Sequence, residues 1–155
     1  LGLSREYILG LFVPTAGVAV CTGFVVAWLT DLSFVRVKYL LLLMALGAFL
    51  GSVALLIGDY PKVFWMHVIG FGVSGGCFGS LSTIVYPRFF GRTHIGAIQG
   101  VFMTTVVVAS AIGPFLFSVF QYLFGGYRSG FAVSAIIAAS LAFSALRADN
   151  PQRDL

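Results

Sequence analysis

The sequence predicts an all-α fold, a polytopic membrane bundle with five transmembrane helices, and two observations carry that expectation. Of the 155 residues 59% are hydrophobic and only 9% charged, with a mean hydropathy of +1.03. A soluble domain is about half apolar and about a quarter charged, so this chain lies well outside the globular range. The few charges are also segregated. They leave five uncharged runs, Tyr7–Thr30, Tyr39–Gly58, Val63–Pro87, Ile95–Tyr127 and Ser129–Leu146. Each reaches the roughly 18 residues with which a helix crosses a hydrocarbon layer of about 30 Å. A charge at mid-bilayer costs about 2.5–3.5 kcal/mol on insertion scales, which is why such runs stay clean. Spans are expected at about 7–30, 39–58, 63–87, 95–124 and 129–147, forming one transmembrane domain.

Taken in order, the first span follows Ser4-Arg5-Glu6, where Ser4 suits an N-cap. Pro14 removes one backbone hydrogen bond and is expected to bend the helix near its start. The span closes on Trp28-Leu29-Thr30-Asp31, an interfacial aromatic followed by a charge. The second span, YLLLLMALGAFLGSVALLIG, is featureless except for Gly47 and Gly51 at GxxxG spacing. Asp59-Tyr60-Pro61-Lys62 makes a tight turn into a glycine-rich third span. The fourth run is long enough to tilt or to extend beyond the bilayer, and it carries Gly113-Pro114 near its middle. Gly125-Gly126-Tyr127-Arg128-Ser129-Gly130 turns the chain into an Ala/Ser-rich fifth span.

The net charge of +4 is not a nucleic-acid signal, because the basic residues sit at helix junctions rather than in a patch interleaved with aromatics. Their asymmetry speaks to orientation instead. Arg36, Lys38, Arg88, Arg92, Arg147 and Arg153 fall on one side of the expected topology, against Arg5, Lys62 and Arg128 on the other. The first and third connections and the C-terminus are therefore expected in the cytoplasm, with the chain resident in the cell (inner) membrane. An odd number of spans starting outside, on Leu1 and without a signal segment, is expected of a fragment of a longer membrane protein. Cys21 and Cys77 lie inside spans with no CxxC and no ligand spacing, so packing is expected of them and no metal site. No Walker-type phosphate loop is present.

The third span carries the chemistry. At about 100° per residue, His67, Phe71, Ser74, Phe78 and Ser82 share a stripe about 80° wide. Gly72, Gly75, Gly76 and Gly79 lie on a separate flank, where a neighbouring backbone can come close. A helix that lines a solute cavity with one face and packs with the other reads this way. The competing reading is a core helix whose Ser hydroxyls bond back to their own carbonyls. In the fourth span Gln99, Met103, Ser110, Gly113, Phe117 and Gln121 also share a side, and Gln99 joins the candidate substrate-binding set. His67 is the only ionisable group inside a span apart from thiols and phenols. Its protonation can couple transport to a proton gradient, although a place five positions past Lys62 favours an interfacial structural role.

Three stretches resemble a known family. AWLTDLSFVRVKYLLL resembles the loop between the second and third helices of a major facilitator half, with Asp31, Arg36 and Lys38 matching and Ala27 and Leu32 departing from the pattern. YPRFFGRTHIGAIQG resembles the cytoplasmic loop between the tenth and eleventh helices, especially in oxalate/formate antiporters and monocarboxylate carriers. AIGPFLFSVFQYLFGGYRSGF resembles the eleventh helix and its exit turn. The resemblance implies helices eight to twelve of a twelve-helix secondary transporter of the major facilitator superfamily, five spans of a six-helix half. It implies transport of a small organic solute by alternating access, a monocarboxylate being one candidate. The third span would line the cavity, and the second and fifth would be peripheral. Asp31, Arg36, Arg88 and Arg92 would act as gating residues that pair when the cytoplasmic side closes. The partners implied are the solute, the lipid bilayer and the N-terminal half of the same chain, with no cofactor and no catalysis.

Two other classes compete. Gly72-Val73-Ser74-Gly75 is similar to the G-x-S-G of rhomboid intramembrane serine proteases. A serine nucleophile needs a base held by another element, and His67 lies on the same helix about 10 Å away along its axis. The other class is a small stand-alone membrane scaffold or channel.

Overall fold

The computed structural model describes residues 9–31, 36–58, 60–91 and 93–147, apart from the side chains of Pro61, Arg88 and Phe89. Five long helices account for nearly all of them: α1 (Phe12–Asp31), α2 (Val37–Ile57), α3 (Pro61–Phe90), α4 (Ile95–Phe124) and α5 (Arg128–Arg147). All five contain segments long and apolar enough to cross a membrane, which marks the chain as a membrane protein. The expected N-cap Ser4, the turn residue Asp59 and the tail residue Arg153 lie outside the described residues.

Local chemistry explains where the helices start and stop. Helical backbone at residues 9–10 breaks at Leu11, and α1 begins one residue later. Pro14 therefore sits in the first turn, where its missing N–H has no intrahelical partner to lose. The bend expected at Pro14 is instead a break before the helix. α2 ends on Gly58, whose φ of 52° is the left-handed conformation that a side chain resists, and its N–H bonds to the Ala54 carbonyl. Pro61 opens α3 at a position suited to proline. Near the end of α2, the Leu56 carbonyl accepts a hydrogen bond from Arg128 Nη2 at 3.1 Å, so a cation meets the negative end of that helix dipole.

Packing is centred on α3, which is gripped from both sides. One flank meets α1, and another meets α2, which in turn carries α5. The second span, expected at the periphery, is thus sandwiched between α3 and α5 and buries Leu40, Ala45, Gly47, Gly51, Ser52 and Ala54. Two apolar clusters fill the seams. Val26, Leu40, Cys77 and Leu81 join α1, α2 and α3 near one end, and Leu11, Phe64 and Val68 join the chain at the other.

Lipid supplies no hydrophobic drive between helices, so close backbone approach and interhelical hydrogen bonds must hold them. Gly47 and Gly51 of α2 face Gly70 and the Ser74 backbone of α3 so tightly that a methyl at Gly70 would stand 2.6 Å from Gly51 N and 2.7 Å from the Gly47 carbonyl oxygen. On the opposite flank, Gly72 meets Val18 and Gly76 meets the Ala19 carbonyl of α1. Ser80 Oγ donates across this second seam to the Gly23 carbonyl at 2.9 Å. Among the described residues no buried side-chain nitrogen or oxygen lacks a hydrogen-bond partner, as a bilayer interior demands.

α4 differs from the rest. None of its residues is buried. Two of its phenylalanines pin it through three ring contacts: Phe102 against Phe78 and Tyr86 of α3, with ring centroids 5.8 and 5.1 Å apart, and Phe117 against Phe131 of α5 at 5.2 Å.

Candidate functional site

The polar stripe of α3 divides into two parts with different surroundings. In the upper part His67, Phe71 and Ser74 face the α2 seam. His67 Nδ1 lies 3.2 Å from the Gly51 carbonyl, a bond that fixes the tautomer with its proton on Nδ1. The Phe71 ring lies tilted against the imidazole, centroids 4.6 Å apart, and covers Gly51, and Ser74 abuts Gly47. The His67 Nδ1–H is thus directed at a backbone oxygen on another helix rather than at Ser74. These three residues tie α3 to α2.

Replacing His67 with phenylalanine should keep the ring and lose only the bond, costing about 0.6 kcal/mol, an average for interhelical hydrogen bonds in membranes. His67→Ala should cost more, because the contact with Phe71 goes too. Unfolding in mixed micelles measures both, and equal losses in the two variants would show that the bond alone carries the contribution.

The lower part of the stripe opens onto a pocket. Phe78 and Ser82 line it with Leu41 and Met44 of α2, Leu81, Val85 and Tyr86 of α3, and Phe102 of α4, around a cavity of about 110 Å³. Ser82 Oγ donates back to the Gly79 carbonyl at 3.0 Å, leaving its oxygen lone pairs as acceptors toward any occupant. The lining contains no cationic or acidic side chain. A site of this kind suits an apolar or aromatic group with one hydrogen-bonding atom. The hollow is half-open and smaller than the enclosed apolar cavity of about 150 Å³ that holds benzene.

Gln99 of α4 is half-buried and does not line this cavity; Phe102, three residues further on, does. Leu41, Met44, Leu81, Val85, Tyr86 and Phe102 line it without having been candidates from the sequence. Tyr86 had a visible signal, since it lies four residues beyond Ser82 and continues the same stripe. Phe102 and Met44 had none, because their place depends on which helices become neighbours.

The expected gating groups are placed as follows. Asp31 ends α1 and Arg36 immediately precedes α2; both are exposed, and no ion pair joins them. Arg88 falls in the last turn of α3 with its side chain outside the description, and Arg92 lies outside the described residues. Among the described residues no three His, Cys, Asp or Glu side chains gather as a metal site would need. Cys21 is exposed and Cys77 buried, and both are free thiols.

Compared with protein-family models, with curated proteins and with solved structures, the chain finds no match in any of the three.

Proposed function

We propose that the chain is the C-terminal portion of a secondary active transporter of the major facilitator type, moving a small organic solute by alternating access. The observation that supports this reading best is an uncharged, half-open pocket at the lower half of the α3 stripe, bordered on one side by the loosely pinned α4. Alternating access needs a helix that can shift against a fixed site. In this reading α1, α2 and α3 are the fixed part, and α4 is the helix that shifts. Phe78 and Ser82 contact the solute, and His67, Phe71 and Ser74 hold the pocket's upper edge in register. Gln99 enters the pathway when α4 rotates. Asp31, Arg36, Arg88 and Arg92 stand at the cytoplasmic end, which the basic residues of the first and third connections and of the C-terminus assign to the inside.

The lack of charge in the pocket bears on substrate. A desolvated carboxylate needs a cation near it, so a monocarboxylate would draw that cation from the N-terminal half of the transporter. The test is uptake into proteoliposomes by the full-length protein, across monocarboxylates and neutral solutes of similar size. Phe78→Ala should raise KM about tenfold, the loss of one good ring contact of about 1.4 kcal/mol. Wild-type KM in both Phe78→Ala and Ser82→Ala removes the pocket from the pathway. Folded protein that moves no solute in the panel supports the scaffold reading instead.

A further inference from the structure

We propose that the end of the α2–α5 pair carrying Arg36, Lys38 and Arg147 binds the phosphate headgroup of an anionic lipid. This goes beyond the transport reading and holds whether or not the chain carries a solute. α5 packs chiefly on α2, and Arg128, its first residue, reaches the Leu56 carbonyl near the far end of α2, so the two helices run antiparallel. Nineteen residues separate Arg128 from Arg147, and nineteen separate Leu56 from Val37. With a common rise of about 1.5 Å per residue, Arg147 comes level with the first turn of α2. The packing persists to that end, since Ala142 and Ala145 are buried. Arg36 immediately precedes α2, and Lys38 lies in its first turn.

The three cations therefore lie at one depth, where the spans end and phosphate groups begin. Two of them sit against aromatic rings. Lys38 Nζ is 5.8 Å from the centroid of Tyr39, and the Arg147 guanidinium is 4.7 Å from that of Phe143. Both rings are more than half exposed, at 54% and 59%. A tyrosine such as Tyr39 settles at the headgroup boundary, and the cationic tips of Lys38 and Arg147 reach beyond the rings they lie against. No acidic residue occurs in the first turn of α2, and no ion pair engages any of the three cations among the described residues. Asp31, which ends α1 at this same end, is the only carboxylate side chain described; it pairs with none of the three cations and leaves the cluster net positive. The complementary charge at this depth is the phosphodiester of an anionic lipid, held by several donors at once. Inorganic phosphate shares the chemistry but lacks the acyl chains that would place it at this depth.

The experiment uses the full chain in micelles doped with phosphatidylglycerol, phosphatidylcholine or inorganic phosphate. Retained lipid is counted by native mass spectrometry, and the thermal midpoint is followed in parallel. The wild-type chain should bind phosphatidylglycerol at least about fivefold more tightly than phosphatidylcholine. Each of Arg36→Gln, Lys38→Gln and Arg147→Gln should remove about fivefold, and Lys62→Gln at the opposite end should remove nothing. If the Arg36 or Lys38 variant fails to fold, Arg147→Gln alone carries the test, because its side chain is exposed. Equal retention of both lipids by wild type, or undiminished preference in the variants, overturns the proposal. Stabilisation by inorganic phosphate equal to that by lipid assigns the cluster to a soluble anion and overturns it as well.

Discussion

Gly70→Ala should lower the stability of the bundle by about 3 kcal/mol, the upper range for forcing one extra carbon into a packed seam. The new methyl would stand 2.6 Å from Gly51 N, 2.7 Å from the Gly47 oxygen and 3.0 Å from Gly51 Cα. All three are backbone atoms, so no side chain can rotate aside. α2 and α3 would have to separate, stretching the His67 bond to the Gly51 carbonyl and lifting Phe71 from its seat. The matched control is Gly79→Ala on the same helix, where an added methyl meets nothing within 4 Å. That change should stabilise the chain by about 0.5–1 kcal/mol, because alanine favours the helix over glycine. Reversible unfolding in mixed micelles reads both, and indistinguishable midpoints for the two variants would refute the account of this seam.

Removing both aromatic pins, Phe102→Ala with Phe117→Ala, should release α4 from the bundle while leaving α1, α2, α3 and α5 assembled. Each ring pair contributes about 0.5–1.5 kcal/mol beyond the area it covers, and little else holds α4, which has no buried residue. Spin labels on α4 and α3 report the result. The wild-type chain should give a narrow distance distribution, each single variant a partly broadened one, and the double variant a broad one. A double variant as narrow as wild type would mean that other contacts position α4. If transport proceeds as proposed, Phe117→Ala, which lies outside the pocket, should also change turnover more than affinity, since it alters how readily the helix moves, whereas Phe102→Ala should change both because Phe102 lines the pocket.

The five helices were legible because excluding charge from hydrocarbon is a strong, local rule. Asp31, Lys62, Arg128 and Arg147 stand at or beside helix ends where that rule puts them. The glycine spacing in α2 and the glycine flank of α3 were also legible as packing surfaces. Their pairing was not. Nothing local in the sequence says that Gly47 and Gly51 meet Gly70, or that Gly72 and Gly76 meet α1, since several small-residue faces compete for partners of similar shape. Splitting the α3 stripe into a seam and a pocket follows from that pairing. His67, Phe71 and Ser74 touch α2 because Gly70, on the same face, draws it close. Phe78 and Ser82 stay open because α4 stands off. Hydropathy marks what a helix is, whereas its neighbours are chosen by shape along its whole length.

The mating of α1 with α3 across an intervening helix has a consequence for biogenesis. Ser80 and the Gly23 carbonyl it bonds are separated by 57 residues of chain. α1 and α2 leave the ribosome before α3, and α1 packs on α3 rather than on α2, so α1 must wait in lipid, or in the grip of the insertion machinery, until α3 emerges. A nascent chain stalled before Ser80 would display the Gly23 backbone and Ala19 to whatever membrane quality-control factor surveys unpaired helices.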